Sequence, residues 1–493
     1  MSVQQPSQTQ VDAAKAWALP MALVGGTNAM RKAETQFLPQ EEAESEKAYH
    51  NRLKRTYLFN GFAKTVEDLT GKVFAKPLVL QGDVPTQIRG VYDAEGKKVV
   101  TPGYAENIDL TGRHLNNFAC DVFKAGMQTG IEYVFVDMPP AIEDATRKQE
   151  QDAGVRPYMV HVRPQNLLGW QARSIGGVMT LTQVRMYEVT AEIDPDDRFQ
   201  EIDVERVRVV NYDPGVGVTW ELYRKPEGKE SEEWVLEDTG TMSVSRIPLV
   251  PIYLNRVDFM RGECPLRDLA DLNLAHWQST SDQRNILHVA RVPILFASGF
   301  GEDDSLVVGA NSFTASSNEA AKLTYVEHSG SAIGSGRDDL KDLEFQMQVF
   351  GLQLMIPRPN GQTATGEVID EARMTSALAM MADSFKDGFE LALGFMAEFD
   401  GLGMDAGGSI QVNKDYGVSL RNAEDIKSLI AMVNANLISR ETFWSEMKRR
   451  GFLPEDFNGK DEADRIADNP ALGGMMDLPK PKPTVVDANA NGE

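Results

Sequence analysis

Six histidines, at positions 50, 114, 161, 276, 288 and 328, two cysteines and a few acidic clusters are the residues through which this chain could do chemistry. A metal site needs ligands brought together at short spacing on one face or around one loop. His276 and Asp282 share an expected helix, but six residues of separation keep them off a tight common face, and a structural or surface role fits them better. Glu302-Asp303-Asp304 supplies carboxylates without EF-hand spacing, so a solvated loop is the better reading. Cys120 and Cys264 are far apart and belong to no ligand pattern. Both read as small buried hydrophobes in a reducing compartment, with no disulfide scaffold.

Phosphate chemistry has no support either. No segment follows GxxxxGK[ST], whose lysine and hydroxyl position phosphates and magnesium. The glycine-rich pieces LVGG, GVGV and GSGR lack that lysine and read as turns. HExxH, GxSxG and paired CxxC motifs are missing from the sequence. The sequence therefore predicts no catalytic residue, no metal, no cofactor and no enzyme activity.

Charge narrows the classes further. With 50 Lys and Arg against 73 Asp and Glu, the net charge is −23. Proteins that grip duplex DNA carry a basic excess, because phosphate neutralisation supplies most non-specific affinity. A conventional DNA binder is thus excluded. An acidic wall that lets DNA slide past without sticking is compatible with this balance, as is an ordinary acidic cytosolic protein. The 493 residues suggest about three structural regions. No run of about 18 apolar residues is present, so no membrane span is expected. The N-terminus has a polar start without a basic flank and does not read as a signal peptide.

The elements that would position any site alternate in texture. The first dozen or so residues, polar and Gln-rich, are expected to be mobile. Glu41 to about Ala75 reads as helix, with Phe59, Phe62, Val66, Leu69 and Val73 on one buried face and Lys76-Pro77 as its stop. A helix over Leu115 to Thr129 ends at Gly130, and IEYVFVDMPPA follows as a buried strand. From about Arg156 to Asn255, runs rich in Val, Tyr, Thr and Trp, including YMVHV, predict an antiparallel meander. Helical pattern resumes at Pro265, a favourable first-turn position for proline. Residues 292–333 alternate short apolar runs with Gly and Ser, a strand-and-loop insert between two long helices.

The second of those helices carries Leu340, Leu343, Met347, Phe350 and Leu354 in 3–4 alternation, a stripe suited to packing along a neighbouring helix. IPRPNGQTATGEV then breaks the helix, because Pro357, Pro359, Gly361 and Gly366 cannot continue it. A long helix over about Glu367 to Asp400 resumes with Met374, Leu378, Met381, Phe385, Met396 and Phe399 along one side. Asn422 with Asp425 resembles a capping box, and Ser439 can cap SRETFWSEMKRRG, which ends at Gly451. The Pro-, Lys- and Asn-rich end reads as an unfolded tail.

Several blocks, in this order, resemble the portal proteins of tailed bacteriophages: NGFAKTVEDLTGKVFAKPLVL at 60–80, TGIEYVFVDMP at 129–139, PLRDLADLNLAHWQSTSDQRNILHVARVPILFASG at 265–299, TSALAMMADSFKDGFELALGFMAEF at 375–399 and SRETFWSEMKRRGFL at 439–453. The likeness spans roughly 40–460 and rests on order rather than on one diagnostic motif. It implies an α+β, portal-type fold: an N-terminal arm (1–40), a wing of helices and then an antiparallel β-rich block (41–262), a first stem helix (263–291), a small α/β clip insert (292–335) and a second stem helix (336–355). A tunnel loop (356–367) leads to a wing return with a long kinked helix (368–419), a helical crown (420–470) and a disordered tail (471–493).

By the same resemblance the chain forms a homo-oligomeric ring of about twelve subunits at one capsid vertex. Double-stranded DNA passes through that ring without sequence specificity during genome packaging, retention and ejection. Implied partners are the terminase large subunit, an adaptor or head-completion protein, the major capsid protein and scaffold, with no membrane. The location implied is the virion's portal vertex, and host cytoplasm during assembly. Arg358, Asn360, Gln362, Thr363 and Thr365 would face DNA from the tunnel loop. Leu340, Leu343, Met347, Phe350 and Leu354 would pack the stem, and Arg337 and Lys341 would form a basic belt on it, unless they merely offset Asp338, Asp339 and Asp342.

Two other readings stand beside this one: another virion connector or scaffold component, and a cytosolic enzyme with an unrecognised site. The central β-rich block argues against a scaffold, and the length against an adaptor. Purified protein is expected to hydrolyse no ATP, with or without DNA, because no lysine and hydroxyl are placed to hold phosphate and metal. A phosphate-release assay checks this, and turnover abolished by one substitution in the chain would contradict it.

Overall fold

Ser7 begins the first helix, α1 (Gln8–Val24), its hydroxyl accepting from the Gln10 amide at 3.4 Å. The start of the chain, expected to be mobile, is held down. The Ser7 amide donates to the Leu168 carbonyl at 2.7 Å, and the buried Gln10 side chain donates to the Pro164 and Leu167 carbonyls. A computed structural model describes residues 2–92, 99–140, 153–194, 197–226, 234–291, 294–300, 320–326, 331–352, 364–413, 430–434 and 439–449, with isolated positions between. Residues 1–416 and 417–493 form two units.

After α2 (Gly26–Lys32), the helix expected from 41 to 75 is two helices, α3 (Glu46–Arg55) and α4 (Gly61–Val73). Asn60 separates them: its side-chain Oδ1 accepts from the Ala63 amide at 3.0 Å and its Nδ2 donates to the Leu23 carbonyl at 2.7 Å. A side chain that satisfies an orphan amide of the new helix and anchors α1 as well stabilises the break better than continued helix would. Phe62, Val66 and Val73 are buried on α4, as their spacing predicts. Short elements follow: β1 (Val79–Leu80), α5 (Thr86–Arg89), β2 (Val91–Tyr92) and β3 (Val99–Thr101).

The helix over 115–129 forms as α6 (Leu115–Thr129) and ends at Gly130, whose φ of 76° lies in the left-handed region that glycine adopts without strain. A side chain there would also meet the Glu263 backbone, so the chain approaches itself closely just ahead of the second helical half. The strand that follows, β4 (Ile131–Asp137), is buried along its whole length. It lies between β5 (Tyr158–Val162) and β11 (Leu249–Tyr253), both antiparallel to it. The YMVHV run, expected in the meander, therefore belongs to this smaller sheet. The meander itself is β6 (Leu167–Ile175), β7 (Val178–Ile193), β8 (Glu201–Asp213), β9 (Gly217–Arg224) and β10 (Val235–Met242), paired antiparallel in sequence order.

Past the hairpin β12 (Arg256–Asp258) and β13 (Arg261–Gly262), helix α7 (Arg267–Ala290) leads into the hairpin β14 (Ile294–Ser298) and β15 (Lys322–Val326), and α8 (Ser331–Met347) returns. The return helix starts inside the segment expected to belong to the insert, and its α-helical part stops at Met347, passing into a π-helical turn over Gln348–Leu352. Helix α9 (Ala364–Phe399) then packs on β4 and β11, burying Leu378, Phe385, Phe389 and Met396, while Met381 and Phe399 are half-buried. Phe74, Phe123, Phe385 and Phe389 meet in tilted and edge-on contacts between α4, α6 and α9, a favoured arrangement for aromatic quadrupoles. Strand β16 (Ile410–Gln411) pairs with β1 and ties the end of this half to its beginning. Sheet and helices are thus mixed along one core, an α+β arrangement. In residues 417–493, α10 (Arg440–Arg449) is capped as expected, Ser439 Oγ accepting from the Thr442 amide at 3.1 Å. Asn422 and Asp425 lie outside the described residues.

Candidate functional site

The α7–β14–β15–α8 hairpin is the feature around which chemistry-bearing residues gather. Its two helices run antiparallel: the Gln283 amide donates to the Ile333 carbonyl at 3.0 Å near one end, and His276 Nε2 stands 3.4 Å from Glu344 Oε1 further along. The face that α7 turns to the core is unusually polar. Leu269, Ala270 and Trp277 share it with Asn273, His276, Thr280, Ser281 and Gln283, all buried.

Asn273, His276, Ser281 and Gln283 each have a partner far away in sequence, and Thr280 meets His276 one turn away on the same helix. Asn273, wholly buried, donates to the Phe59 carbonyl at 2.8 Å and accepts from the Phe62 amide at 2.9 Å, closing the gap between α3 and α4. Ser281 Oγ lies 2.9 Å from the Thr56 hydroxyl and accepts from the Arg52 guanidinium at 3.2 Å. Arg52 is itself buried and forms a two-pronged pair with Glu44 at 2.9 and 2.8 Å, and it donates to the Pro39 carbonyl. That guanidinium holds Glu44 below the usual carboxylate range. Arg55 donates to Asn285 Oδ1 at 2.8 Å, the outermost of these ties. Beyond it, α7 leaves the core: Val289 is 57% exposed, as are Phe296 (54%) and Leu323 (45%) on the strand hairpin.

On α8, Leu340 and Leu343 are half-buried and Met347 is fully buried, so three of the five expected stripe residues pack inward. Phe350 is 55% exposed. The π-turn explains the departure, since its wider winding carries residue 350 away from the line that 340, 343 and 347 trace. Phe345 (64%) and Val349 (51%) add a second exposed apolar row that the stripe did not predict. Leu354 lies outside the described residues, as do Arg358, Asn360, Gln362 and Thr363; Thr365 falls in α9, with its side chain outside them. Arg337 and Lys341 are exposed, and Lys341 pairs with Asp338 at 3.2 Å. Among the described residues no group of three or more His, Cys, Asp or Glu is placed to hold a metal. His276 faces Glu344 and Thr280 rather than Asp282. Cys264 is buried, with its thiol pushed up to about 12 by desolvation, and Cys120 is partly buried. No helix among the described residues is long and apolar enough to cross a membrane.

Sequence reasoning missed Arg52, Asn273, Thr280 and Ser281. A signal existed for α7: Leu269, Asn273, Trp277 and Thr280 follow 3–4 spacing, so a polar residue sits where helix periodicity demands burial.

Residues 265–400, from α7 to the end of α9, match a family model described as Domain of unknown function (DUF4055). No curated protein matches the chain. Among solved structures, a chain of the virion of a native gene transfer agent particle is similar at 11% identity and a TM-score of 0.35, covering 88% of this chain and 97% of that one. A chain of the neck of that native particle, computed with C12 symmetry, is similar at 12% identity and a TM-score of 0.38, covering 80% and 89%.

Burial lowers the pKa of His276, and Glu344 and Asp339 offset this only in part, so the ring is neutral at pH 7. An unfolded histidine titrates near about 6.5. Below that pH the unfolded chain binds a proton that the folded chain resists, so this contribution to stability is full above about pH 6.5 and is lost as pH falls toward the depressed folded value. Denaturant unfolding at pH 7.5 and 5.5 is expected to show a smaller loss of stability on acidification for His276→Gln than for wild type. An equal loss in both proteins would contradict the assignment.

Proposed function

We propose that this chain is the subunit of a phage-type portal ring, in which copies of the α7–α8 hairpin pack side by side around a DNA channel. The carrying observation is the state of α8 and its π-turn: one row of apolar residues packs inward, while Phe345 and Phe350, each more than half exposed, have no cover among the described residues. An exposed apolar row on a long hairpin is satisfied when a neighbouring copy covers it, and rotation of one such contact about an axis generates a closed ring. The polar root of α7 fits this role, because it holds the hairpin at one register on the body and so keeps every copy's apolar row in the same place.

In this reading the ring holds about twelve subunits, serves genome packaging, retention and ejection, and provides the platform for the terminase motor, the adaptor and the tail at the capsid vertex. The segment at 356–363 forms a tunnel loop, shorter than the expected 356–367 because α9 already begins at Ala364, with Arg358, Asn360, Gln362, Thr363 and, in the helix's first turn, Thr365 making weak polar contacts to a sliding duplex. Strong basic contacts there would add affinity for every neutralised phosphate and slow passage. The chain's charge of −23 supports a wall that does not hold DNA. The protein acts as a structural conduit, not an enzyme.

Two variants test the parts separately. Phe350→Asp replaces a group that is 55% exposed in the single chain, so the monomer should unfold within about 0.5 kcal/mol of wild type. In a ring the same carboxylate would be buried unpaired, at a cost of several kcal/mol. Sizing chromatography with light scattering should therefore show wild-type rings and variant monomers; rings of normal stability in the variant would remove the hairpin from the interface. Deleting Asn360 to Thr365 should leave rings intact yet shorten the DNA retained in assembled particles. Full-length genomes with normal infectivity would remove the loop from the channel.

A further inference from the structure

The five-stranded meander has two very different faces near the ends of β7 and β9. One face is self-neutralised: Arg206 pairs with Glu192 and, at 2.6 Å, with Glu237, and Arg208 pairs with Glu188 at 2.7 Å and Asp137 at 3.3 Å. Strand register puts a different set on the other face. Val189 lies opposite Glu205, Ala191 opposite Asp203, Ile193 opposite Glu201, and Leu236 opposite Tyr223, and directly paired residues share a face.

The inner part of that second face is covered by the chain's own start. Val3 packs on Leu168, Val207 and Val209, and Arg185 donates to the Val3 and Gln5 carbonyls at 2.9 and 2.8 Å. No described residue covers the outer part, where Val189 is 49%, Leu236 50% and Ile193 67% exposed. Its acids differ in status. Glu205 pairs with Lys225 at 2.7 Å, whereas among the described residues no cation stands beside Glu201 or Asp203, and both are exposed. An open apolar sheet face whose rim carboxylates have no cation beside them among the described residues complements one kind of surface: apolar side chains interleaved with lysine or arginine. A second copy of this chain carries net charge −23 and is a poor match for that rim.

We propose that this outer face of the meander docks a cationic, apolar segment of a different protein, continuing the cover that the N-terminal residues begin. Apolar contacts to Val189, Ile193 and Leu236 give the affinity, and Glu201 and Asp203 select for basic residues. The proposal is independent of whether the chain forms rings.

The test uses the full chain and a fluorescent synthetic peptide of alternating leucine and lysine, followed by anisotropy at low salt. Binding is expected, weakening with added salt. The charge variant Glu201→Lys/Asp203→Lys and the apolar variant Val189→Ser/Ile193→Ser should each weaken it at least about tenfold. A control reversal elsewhere, Glu42→Lys/Asp387→Lys, changes the net charge equally and should leave binding unchanged. No binding by wild type, or equal weakening by the control and the charge variant, would overturn the proposal. Sedimentation of wild type alone adds an independent arm: self-association abolished by Val189→Ser/Ile193→Ser would assign the face to a second copy and also overturn it. Each variant's thermal transition is read first, and because one variant changes charge and the other apolar area, a folded member of the pair still decides.

Discussion

Asn273, with no exposed surface, reads the backbone on either side of the α3–α4 break, and eight residues further along α7 Ser281 meets both Thr56 and the guanidinium of Arg52. Buried polar groups of this kind contribute little net stability when satisfied and cost heavily when misplaced, so they select one register rather than add adhesion. Sliding α7 by one turn along the body would strand an amide, a hydroxyl and a buried arginine together. The direction in which the α7–α8 hairpin leaves the core follows from that constraint. So does the placement of Phe345, Val349 and Phe350 outside it.

Much of this arrangement is legible in the sequence where local chemistry decides the outcome. Gly130 after an amphipathic run ends α6 because only glycine takes the left-handed turn without strain, and the apolar run after it becomes the fully buried β4. The meander follows from its β-branched runs and the turns between them. What could not be read is what depends on distant partners. The Asn60-Gly61 pair carries a break signal, yet Phe59, Phe62 and Val66 keep helical spacing across it, and the interaction with the Leu23 carbonyl that favours the break lies 37 residues away. Gln10 is held by carbonyls more than 150 residues distant, so a polar start that looks mobile is anchored. Strand β5 resembles a meander strand locally, and only its register with β4 assigns it to the other sheet.

The candidate site divides along the same line. The stripe Leu340, Leu343 and Met347 was visible as a period, because one helix packing on another needs nothing more. The π-turn after Met347 was not, since no proline or glycine pair marks it before Gly351, and it moves Phe350 from the packed row toward solvent. Arg52 and Ser281 could not be paired by any spacing rule, being 229 residues apart. Their pairing fixes the root of the hairpin, while Phe345 and Phe350 beyond it are uncovered among the described residues.

Electron microscopy of the purified full chain at micromolar concentration tests that point most directly, because it reads assembly and the position of the hairpin together. The account predicts closed rings of about twelve copies in axial view, with the α7–α8 hairpins side by side around a central channel wide enough for a duplex. Particles of one or two copies at every concentration, or rings in which Phe345, Val349 and Phe350 face solvent, would contradict it.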